Sequence, residues 1–307
     1  IRDRIVATWF FFKRPLTLDA WFSRFALGAA GLTRHEAVGP DGRLNWFEGG
    51  EGETTIVLLH GSGDQAGTWA RVVSPLVGRY RVVIPDLPGH GDSDPKTGPI
   101  GVDMVLSGVE AILDVTAEGR PVVLVGNSLG GWVAFLASLE RPNQVERIVA
   151  LNGGPIRQEN PTVNLFPSNR EEARETMSGL MGSSAKAIPE MVLDDIVRRV
   201  PTGPAARVAV TADTMGQFLL DDRLKEVSTP VDLIWGEADE LFPIAYAERL
   251  RDGLAAARLT ALPDCGHIPH RECPVAVVEA LIEVLEGPPP APSVTAVPPS
   301  VTDGEGL

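Results

Sequence analysis

Short apolar runs rich in β-branched residues recur along the chain and predict buried strands. They lie at residues 55–59, 81–85, 120–125, 147–151 and 231–235, and a further strand pattern lies at residues 258–262. Between the earlier runs, apolar residues at helical spacing predict helices near residues 69–76, 104–116 and 132–137. Because strands and helices alternate, we expect a parallel sheet with helices on both of its faces.

A stretch without any strand pattern, residues 156–228, interrupts this alternation. It contains three helical candidates instead, at residues 170–181, 189–200 and 205–224. Such an insertion predicts a helical cap over the carboxyl-terminal edge of the sheet. A last amphipathic helix is predicted at residues 274–285. The core therefore comprises residues 37–155 and 229–286, and the cap comprises residues 156–228.

The two ends of the chain have patterns of their own. Residues 1–36 predict an amphipathic helical segment, in which an apolar aromatic stretch precedes apolar positions at helical spacing, including Trp21, Phe22 and Phe25. We expect this stripe to cover the protein's own apolar surface, and contact with a membrane surface is the alternative. Residues 287–307 are rich in proline and lack a core pattern, which predicts a disordered tail.

Composition narrows the classes of function. The 307 residues are 44% hydrophobic, enough for a sizeable core, and the net charge of −14 without a basic stripe argues against nucleic-acid binding. No apolar run reaches the roughly 18 residues of a membrane span. We expect a soluble cytoplasmic protein, with peripheral membrane contact through residues 1–36 as the alternative.

Cys265 and Cys273 form no disulfide framework, so we expect two free thiols, a local bridge being the alternative.

A glycine-rich turn, Gly126-Asn127-Ser128-Leu129-Gly130, joins one of the predicted strands to a predicted helix. A serine in this setting is typical of the nucleophile elbow. The sharp turn strains the serine backbone and lifts the hydroxyl clear of the sheet. The helix N-terminus beneath it favours developing negative charge. The pattern therefore predicts Ser128 as a nucleophile.

A serine hydroxyl needs a base, usually a histidine that a carboxylate orients. Asp239 follows the predicted strand 231–235 and a glycine turn, and His267 lies in the loop after the last predicted strand. Both lie at carboxyl ends of strands, where open α/β sheets build their sites. His270 forms a His-x-x-His pair with His267, but no third ligand cluster accompanies them, so we expect no metal site.

In these motifs the chain resembles the α/β-hydrolase superfamily, with an esterase- or lipase-like pattern and a cap, over residues 44–286. The residues that carry the resemblance are His60-Gly61-Ser62-Gly63, residues 86–93, the turn around Ser128, residues 236–239, and Gly266-His267 with Glu272 and Pro274. The resemblance implies a doubly wound, mostly parallel sheet and a reaction without a cofactor. It also implies Ser128 as nucleophile, Asp239 as acid, His267 as base, and an oxyanion hole from the backbone N–H groups of Ser62 and Leu129.

Methionines concentrate in the predicted cap and suggest an adaptable substrate pocket. Packing of the cap helices against one another is the alternative interpretation. The candidate pocket residues are Gly63, Trp132, Met177, Met181, Met215 and Phe218.

The function favoured by these patterns is that of a serine hydrolase. It would cleave small carboxylic esters with an apolar acyl or alcohol part through an acyl-enzyme. Three alternatives stay open: a carbon–carbon bond hydrolase of vinylogous diketones, a membrane-associated lipase or monoacylglycerol hydrolase, and a non-catalytic ligand receptor on the same fold. The sequence does not indicate an oligomeric state.

Overall fold

The computed structural model describes residues 14–117, 119–159 and 161–291. An eight-stranded sheet with the order β1-β2-β4-β3-β5-β6-β7-β8 forms its centre. Strands β1 and β2 pair antiparallel, β2 pairs antiparallel with β4, and the remaining neighbours are parallel. The strands are β1 (Thr33–Gly39), β2 (Gly42–Gly49), β3 (Thr55–Leu59), β4 (Arg81–Asp86), β5 (Val122–Asn127), β6 (Val145–Leu151), β7 (Val231–Gly236) and β8 (Ala257–Leu262).

Helices flank both faces of this sheet and fill the insertion between β6 and β7. They are α1 (Pro15–Ala29), α2 (Val73–Val77), α3 (Val102–Thr116), α4 (Leu129–Glu140), α5 (Arg170–Met181), α6 (Glu190–Arg199), α7 (Pro204–Ala209), α8 (Ala212–Met215), α9 (Ile244–Gly253), α10 (Pro269–Glu272) and α11 (Pro274–Glu286). Short 3-10 helices occur at Ala66–Arg71, Gly182–Ala187, Val200–Thr202, Gly216–Phe218 and Leu224–Glu226. The predicted fold class, a doubly wound mostly parallel sheet with a helical cap insertion, is confirmed.

Strand β5 illustrates why the central strands consist of unbroken apolar runs. Val122 and Leu124 join the core cluster that α3, α4 and α9 cover, whereas Val123 and Val125 join the cluster under α1, α2 and α11. Successive side chains point to opposite faces of a strand, and here both faces are covered. Every position of β5 is accordingly buried.

Two predicted boundaries differ in the structure. The candidate helix at 205–224 is wrong as one element, because α7, α8 and two short 3-10 helices occupy the region. The Thr211 hydroxyl lies within hydrogen-bond distance of the carbonyls of Val208 (2.8 Å) and Ile100 (3.1 Å), and bonding of a side chain to nearby carbonyls competes with a continuous helix. Residues 33–36 belong to β1 rather than to a helix. Strand β1 is a largely exposed edge strand, so its polar sequence shows no apolar alternation.

The aromatic stripe of α1 does not cover the protein. Trp21, Phe22 and Phe25 are 61%, 55% and 66% exposed, and Leu27 is the buried residue of the helix. The expectation of a self-covering stripe is therefore wrong, because the helix packs through Leu27 and through polar contacts on its other side. Residues 1–13 of the predicted N-terminal segment and residues 292–307 of the predicted tail lie outside the described residues. No helix in the described ranges has both the length and the apolar character that a membrane span requires.

Candidate active site

Ser128 lies at the tip of a strained turn between β5 and α4. Its backbone adopts φ 53° and ψ −118°, a conformation that costs a non-glycine residue on the order of 1–3 kcal/mol. The turn is tight enough that a Cβ at Gly126 would collide with the carbonyl of Gly130. Gly153, beyond β6, abuts the backbone of Ser128 in the same way. The local geometry is that of the predicted elbow.

Asp239 and His267 meet beside this turn. Asp239 Oδ2 accepts hydrogen bonds from His267 Nδ1 and from Asn152 Nδ2, both at 2.8 Å. Asp239 Oδ1 accepts the backbone N–H groups of Leu241 (2.8 Å) and Phe242 (2.9 Å). Four donors converge on a buried carboxyl group, an arrangement that suits the ionised form. Nδ1 of His267 therefore carries the proton, and Nε2 keeps a lone pair that can accept one.

Ser128 and His267 line the same cavity. Neither the Ser128 hydroxyl nor His267 Nε2 forms a hydrogen bond with another residue in the described part of the chain. Contacts of this kind are often long in a free enzyme and tighten when substrate binds. The structure thus places the three predicted residues at one edge of the sheet, with the Asp239–His267 contact already formed.

The loop that carries His267 is held from both sides. Glu272 accepts the N–H groups of Gly266 and Ile268, each at 3.0 Å, and burial raises the pKa of Glu272. The backbone N–H of His267 donates to the Leu180 carbonyl at 2.6 Å, which ties the loop to cap helix α5. These bonds fix the backbone of the loop at His267 and on both sides of it.

Cys265 and Cys273 form a disulfide that closes the same loop. The expectation of two free thiols is therefore wrong. The end of the loop after β8 and the start of α11 bring the two Cα atoms within 6.0 Å, which the sequence separation of eight residues did not reveal. The disulfide and Glu272 both brace the His267 segment.

His60 orients the turn that contains Ser62. Nε2 of His60 accepts the N–H of Leu87 at 3.0 Å, so Nδ1 is the protonated nitrogen and donates to the Gly61 carbonyl at 2.8 Å. The Gly61 carbonyl and the Ser62 N–H belong to the same peptide unit and point in opposite directions. The Ser62 N–H therefore points away from the His60 ring. Leu129 is the first residue of α4, so its N–H has no intrahelical acceptor. Ser62 and Leu129 both line the cavity at Ser128.

A cavity of about 530 Å³ opens over Ser128 between the sheet edge and the cap. Asp64 is the one residue in the described part of its lining that belongs to the Asp, Glu, Lys and Arg types. The apolar walls come from both the core and the cap; they include Leu129, Trp132, Leu165, Phe166, Met177, Leu180, Ile196, Val208, Met215, Leu241, Phe242 and Ile268. The site suits a neutral, largely apolar ligand.

The structure separates the predicted pocket residues into two groups. Gly63, Trp132, Met177 and Met215 line the cavity. Met181 and Phe218 do not, so their assignment to the lining is wrong. Met181 ends α5 beside Gly266, one helical position beyond the lining residue Leu180.

The backbone of Phe218 instead supports Trp132, which lines the cavity. Its carbonyl accepts the indole N–H of Trp132 at 3.0 Å. Helical spacing alone could not reveal this role, because a carbonyl acceptor does not depend on the side chain.

Sequence reasoning missed two asparagines that support the site. Asn152 follows β6 at φ 47° and bonds Asp239, and its Oδ1 accepts the N–H of Gly236 at 3.0 Å. Asn127 Nδ2 donates to the carbonyls of Leu151 (3.0 Å) and His267 (2.9 Å). The available signal was a polar residue at the carboxyl end of an apolar strand run.

The remaining histidines near the site are buried and neutral. Burial lowers the pKa of His90 to about 3, and it lowers that of His270 well below the usual value. His270 stacks on Trp69 with ring centroids 4.3 Å apart, and its Nε2 lies 2.9 Å from the Thr68 hydroxyl. Across the described ranges, His, Cys, Asp and Glu residues form no group of three or more suited to a metal ion.

Comparison with known proteins identifies the family of this fold. The model of the alpha/beta hydrolase family matches residues 56–280. A 2-hydroxy-6-oxononadienedioate/2-hydroxy-6-oxononatrienedioate hydrolase of Cupriavidus pinatubonensis is 32% identical over 266 residues, covering 79% of this chain and 91% of that protein. A pimeloyl-[acyl-carrier protein] methyl ester esterase of Aromatoleum aromaticum is 31% identical over 258 residues, covering 76% of this chain and 98% of that protein.

A solved structure also resembles this chain over most of its length. It is a membrane phospholipase A described as a bacterial virulence factor, with a TM-score of 0.75 and 25% identity. The match covers 92% of this chain and 95% of the phospholipase chain.

Proposed function

We propose that this chain, which belongs to the alpha/beta hydrolase family, is a serine hydrolase of neutral carboxylic esters with an apolar acyl or alcohol part. The observation that carries the proposal is the Asp239–His267 hydrogen bond beside the strained Ser128 at an apolar cavity. Hydrolase activity agrees with the family and with the named relatives. The proposal concerns the ester substrate and the roles of Ser128, Asp239 and His267.

The proposed reaction follows from the positions of these groups. Ser128 attacks the ester carbonyl while His267 Nε2 takes the hydroxyl proton, and Asp239 stabilises the imidazolium through Nδ1. The N–H groups of Ser62 and Leu129 stabilise the oxyanion, each donor contributing about 3 kcal/mol. His267 then protonates the leaving alcohol, and a water molecule that His267 deprotonates releases the acid. No cofactor takes part in these steps.

The charge of the cavity favours esters over the carbon–carbon alternative. The Cupriavidus relative is named for a dioate, which has two carboxylates. In the described lining no Lys or Arg is present to pair with such a group, and Asp64 would repel it. In a spectrophotometric assay, a vinylogous diketone formed by ring fission should therefore be turned over far more slowly than p-nitrophenyl butyrate. The reverse order would favour carbon–carbon cleavage.

Labelling by a fluorophosphonate probe, together with p-nitrophenyl ester hydrolysis, tests the assignment of Ser128. Ser128→Ala should abolish both signals. Ser107→Ala is the matched control, because Ser107 lies on α3, its hydroxyl donates to the Met104 carbonyl, and it is not among the residues that line the cavity. Activity that survives in cleanly purified Ser128→Ala would refute the nucleophile. Absence of labelling in the parent protein would favour a non-catalytic receptor.

A second candidate function is hydrolysis of lipid esters, such as monoacylglycerols, at a membrane. The exposed aromatic residues of α1 and the resemblance to a membrane phospholipase A favour it. Contact with the membrane through residues 1–36 belongs to this candidate. Release of fatty acid from monoacylglycerol micelles, compared with release from soluble short-chain esters, would distinguish it; a preference for the soluble esters would count against it.

A further inference from the structure

Helix α1 exposes an aromatic cluster that the proposed catalysis does not use. Trp21, Phe22 and Phe25, named here the aromatic patch, are all more than half exposed. The Trp21 ring lies 5.0 Å from that of Phe22 in an edge-on contact and stacks on Phe25 at 6.0 Å. The three rings therefore form one contiguous apolar surface, and such surfaces mark sites of interaction.

The other side of α1 is anchored, so the aromatic patch cannot rotate inward. The Arg24 guanidinium donates to the carboxylates of Asp86 (2.6 Å) and Asp92 (3.2 Å). Leu27 is fully buried in the core cluster beneath the helix. These contacts fix the rotation of the helix and leave the rings pointing to solvent.

Charge on the helix indicates what kind of surface the aromatic patch fits. The charged residues within Pro15–Ala29 are Asp19 and Arg24, and Asp19 pairs with Arg271 at 2.8 Å. The whole chain carries a net charge of −14, which would oppose approach to a strongly anionic surface. Aromatic rings partition into the headgroup boundary of a bilayer without needing such attraction. A zwitterionic lipid surface fits both features.

The sequence directly before α1 extends this character. Residues 9–12 read Trp-Phe-Phe-Phe, and Lys13 and Arg14 follow. Residues 1–13 lie outside the described part of the chain, but their composition of aromatic residues next to basic ones is typical of a headgroup boundary. The chain on the N-terminal side of the aromatic patch thus suits the same occupant.

Helix α1 also lies beside the candidate active site. Its Ser23 hydroxyl accepts Gln65 Nε2 at 3.3 Å, next to the turn that contains Ser62. The backbone N–H of Leu16 donates to Asp195 of cap helix α6 at 3.0 Å. Any surface that binds the aromatic patch of α1 would therefore lie near the cap and near the turns that frame the cavity.

We propose that the aromatic patch is a docking surface for a zwitterionic phospholipid bilayer. The rings of Trp21, Phe22 and Phe25 enter the headgroup boundary, and the side of α1 with Arg24 and Leu27 stays on the protein. Docking is independent of the proposed esterase function, because it requires no reaction at Ser128.

Flotation of the full chain with phosphatidylcholine vesicles tests this proposal, with Ser128→Ala present throughout so that no lipid is hydrolysed. The triple variant W21A/F22A/F25A should lose at least about tenfold in partitioning. The control V38A/V275A removes apolar side chains that are 92% and 70% exposed on β1 and α11, and it should float like the parent. Added salt should weaken binding little, and phosphatidylglycerol should not strengthen it.

Solution measurements separate docking from folding. With Ser128 retained, W21A/F22A/F25A should keep the parent's melting temperature and its hydrolysis of p-nitrophenyl butyrate. If the triple variant does not fold, F22A and F25A singly should each reduce flotation several-fold.

Three results would overturn the proposal. They are a parent chain that does not float, aromatic variants that float as well as the parent, and self-association of the parent in solution that the triple variant abolishes. The last result would identify the aromatic patch as an interface between copies of this chain.

Discussion

The disulfide between Cys265 and Cys273 can be removed by the double substitution C265A/C273A. Alanine suits the site because Cys265 is buried, and serine would place a hydroxyl there. The bridge closes a sequence separation of eight residues. For a loop of this size, the lost chain entropy of the unfolded state corresponds to about 2.5 kcal/mol of stability. With about 2.1 cal/mol/K of unfolding entropy per residue, this loss should lower the melting temperature of a chain of this length by about 4 °C.

Activity should depend on the bridge much less than stability does. Glu272 holds the N–H groups of Gly266 and Ile268, and the Leu180 carbonyl holds the N–H of His267. These bonds remain in C265A/C273A and keep the imidazole beside Asp239. We therefore expect kcat/KM for p-nitrophenyl butyrate at 25 °C to stay within about threefold of the parent value.

Thermal unfolding with and without a phosphine reductant provides the assay. The reductant should lower the melting temperature of the parent to that of C265A/C273A and leave the variant unchanged. An unchanged melting temperature in the variant would refute the entropic reasoning. A fall in kcat/KM of about 100-fold without loss of stability would show instead that the bridge sets the position of His267.

Three further predictions concern the polar groups around the site. Asp239→Asn should lower kcat by about 10³–10⁴-fold with little change in KM in the p-nitrophenyl ester assay, because His267 loses the acceptor that fixes its tautomer; a loss below tenfold would contradict the role of Asp239. Asn152→Ala removes one donor from Asp239 and should lower kcat about tenfold in the same assay, whereas unchanged kinetics would show that the remaining donors suffice. The pKa of His90 is about 3 in the fold and about 6.5 in the unfolded chain, so the unfolded state binds more protons between these values. The free energy of unfolding in urea should therefore fall with acidification below pH 6.5, by up to about 1.4 kcal/mol per pH unit from this group, and His90→Gln should reduce that slope; an equal slope in both proteins would refute the assignment.

Local pattern in the sequence was enough to predict the central strands, the helical insertion and the turn at Ser128. A strand buried on both faces is apolar over most of its length, so the run Val122–Val125 of β5 could be recognised without knowledge of its neighbours. The positions of Asp239 and His267 followed from the rule that parallel strands end at a common edge. The polar edge strand β1 gave no such signal, because exposed positions place little constraint on residue type.

Only the tertiary structure decided which distant groups meet. Asn152 reaches Asp239 across 87 positions of the chain, and no periodicity encodes that approach. The pairing of Cys265 with Cys273 depended on where two turns place their Cα atoms. The exposure of Trp21 depended on which side of α1 found polar partners in the core. Helical and strand periods determine which residues share a face, whereas the packing of whole elements determines what that face contacts.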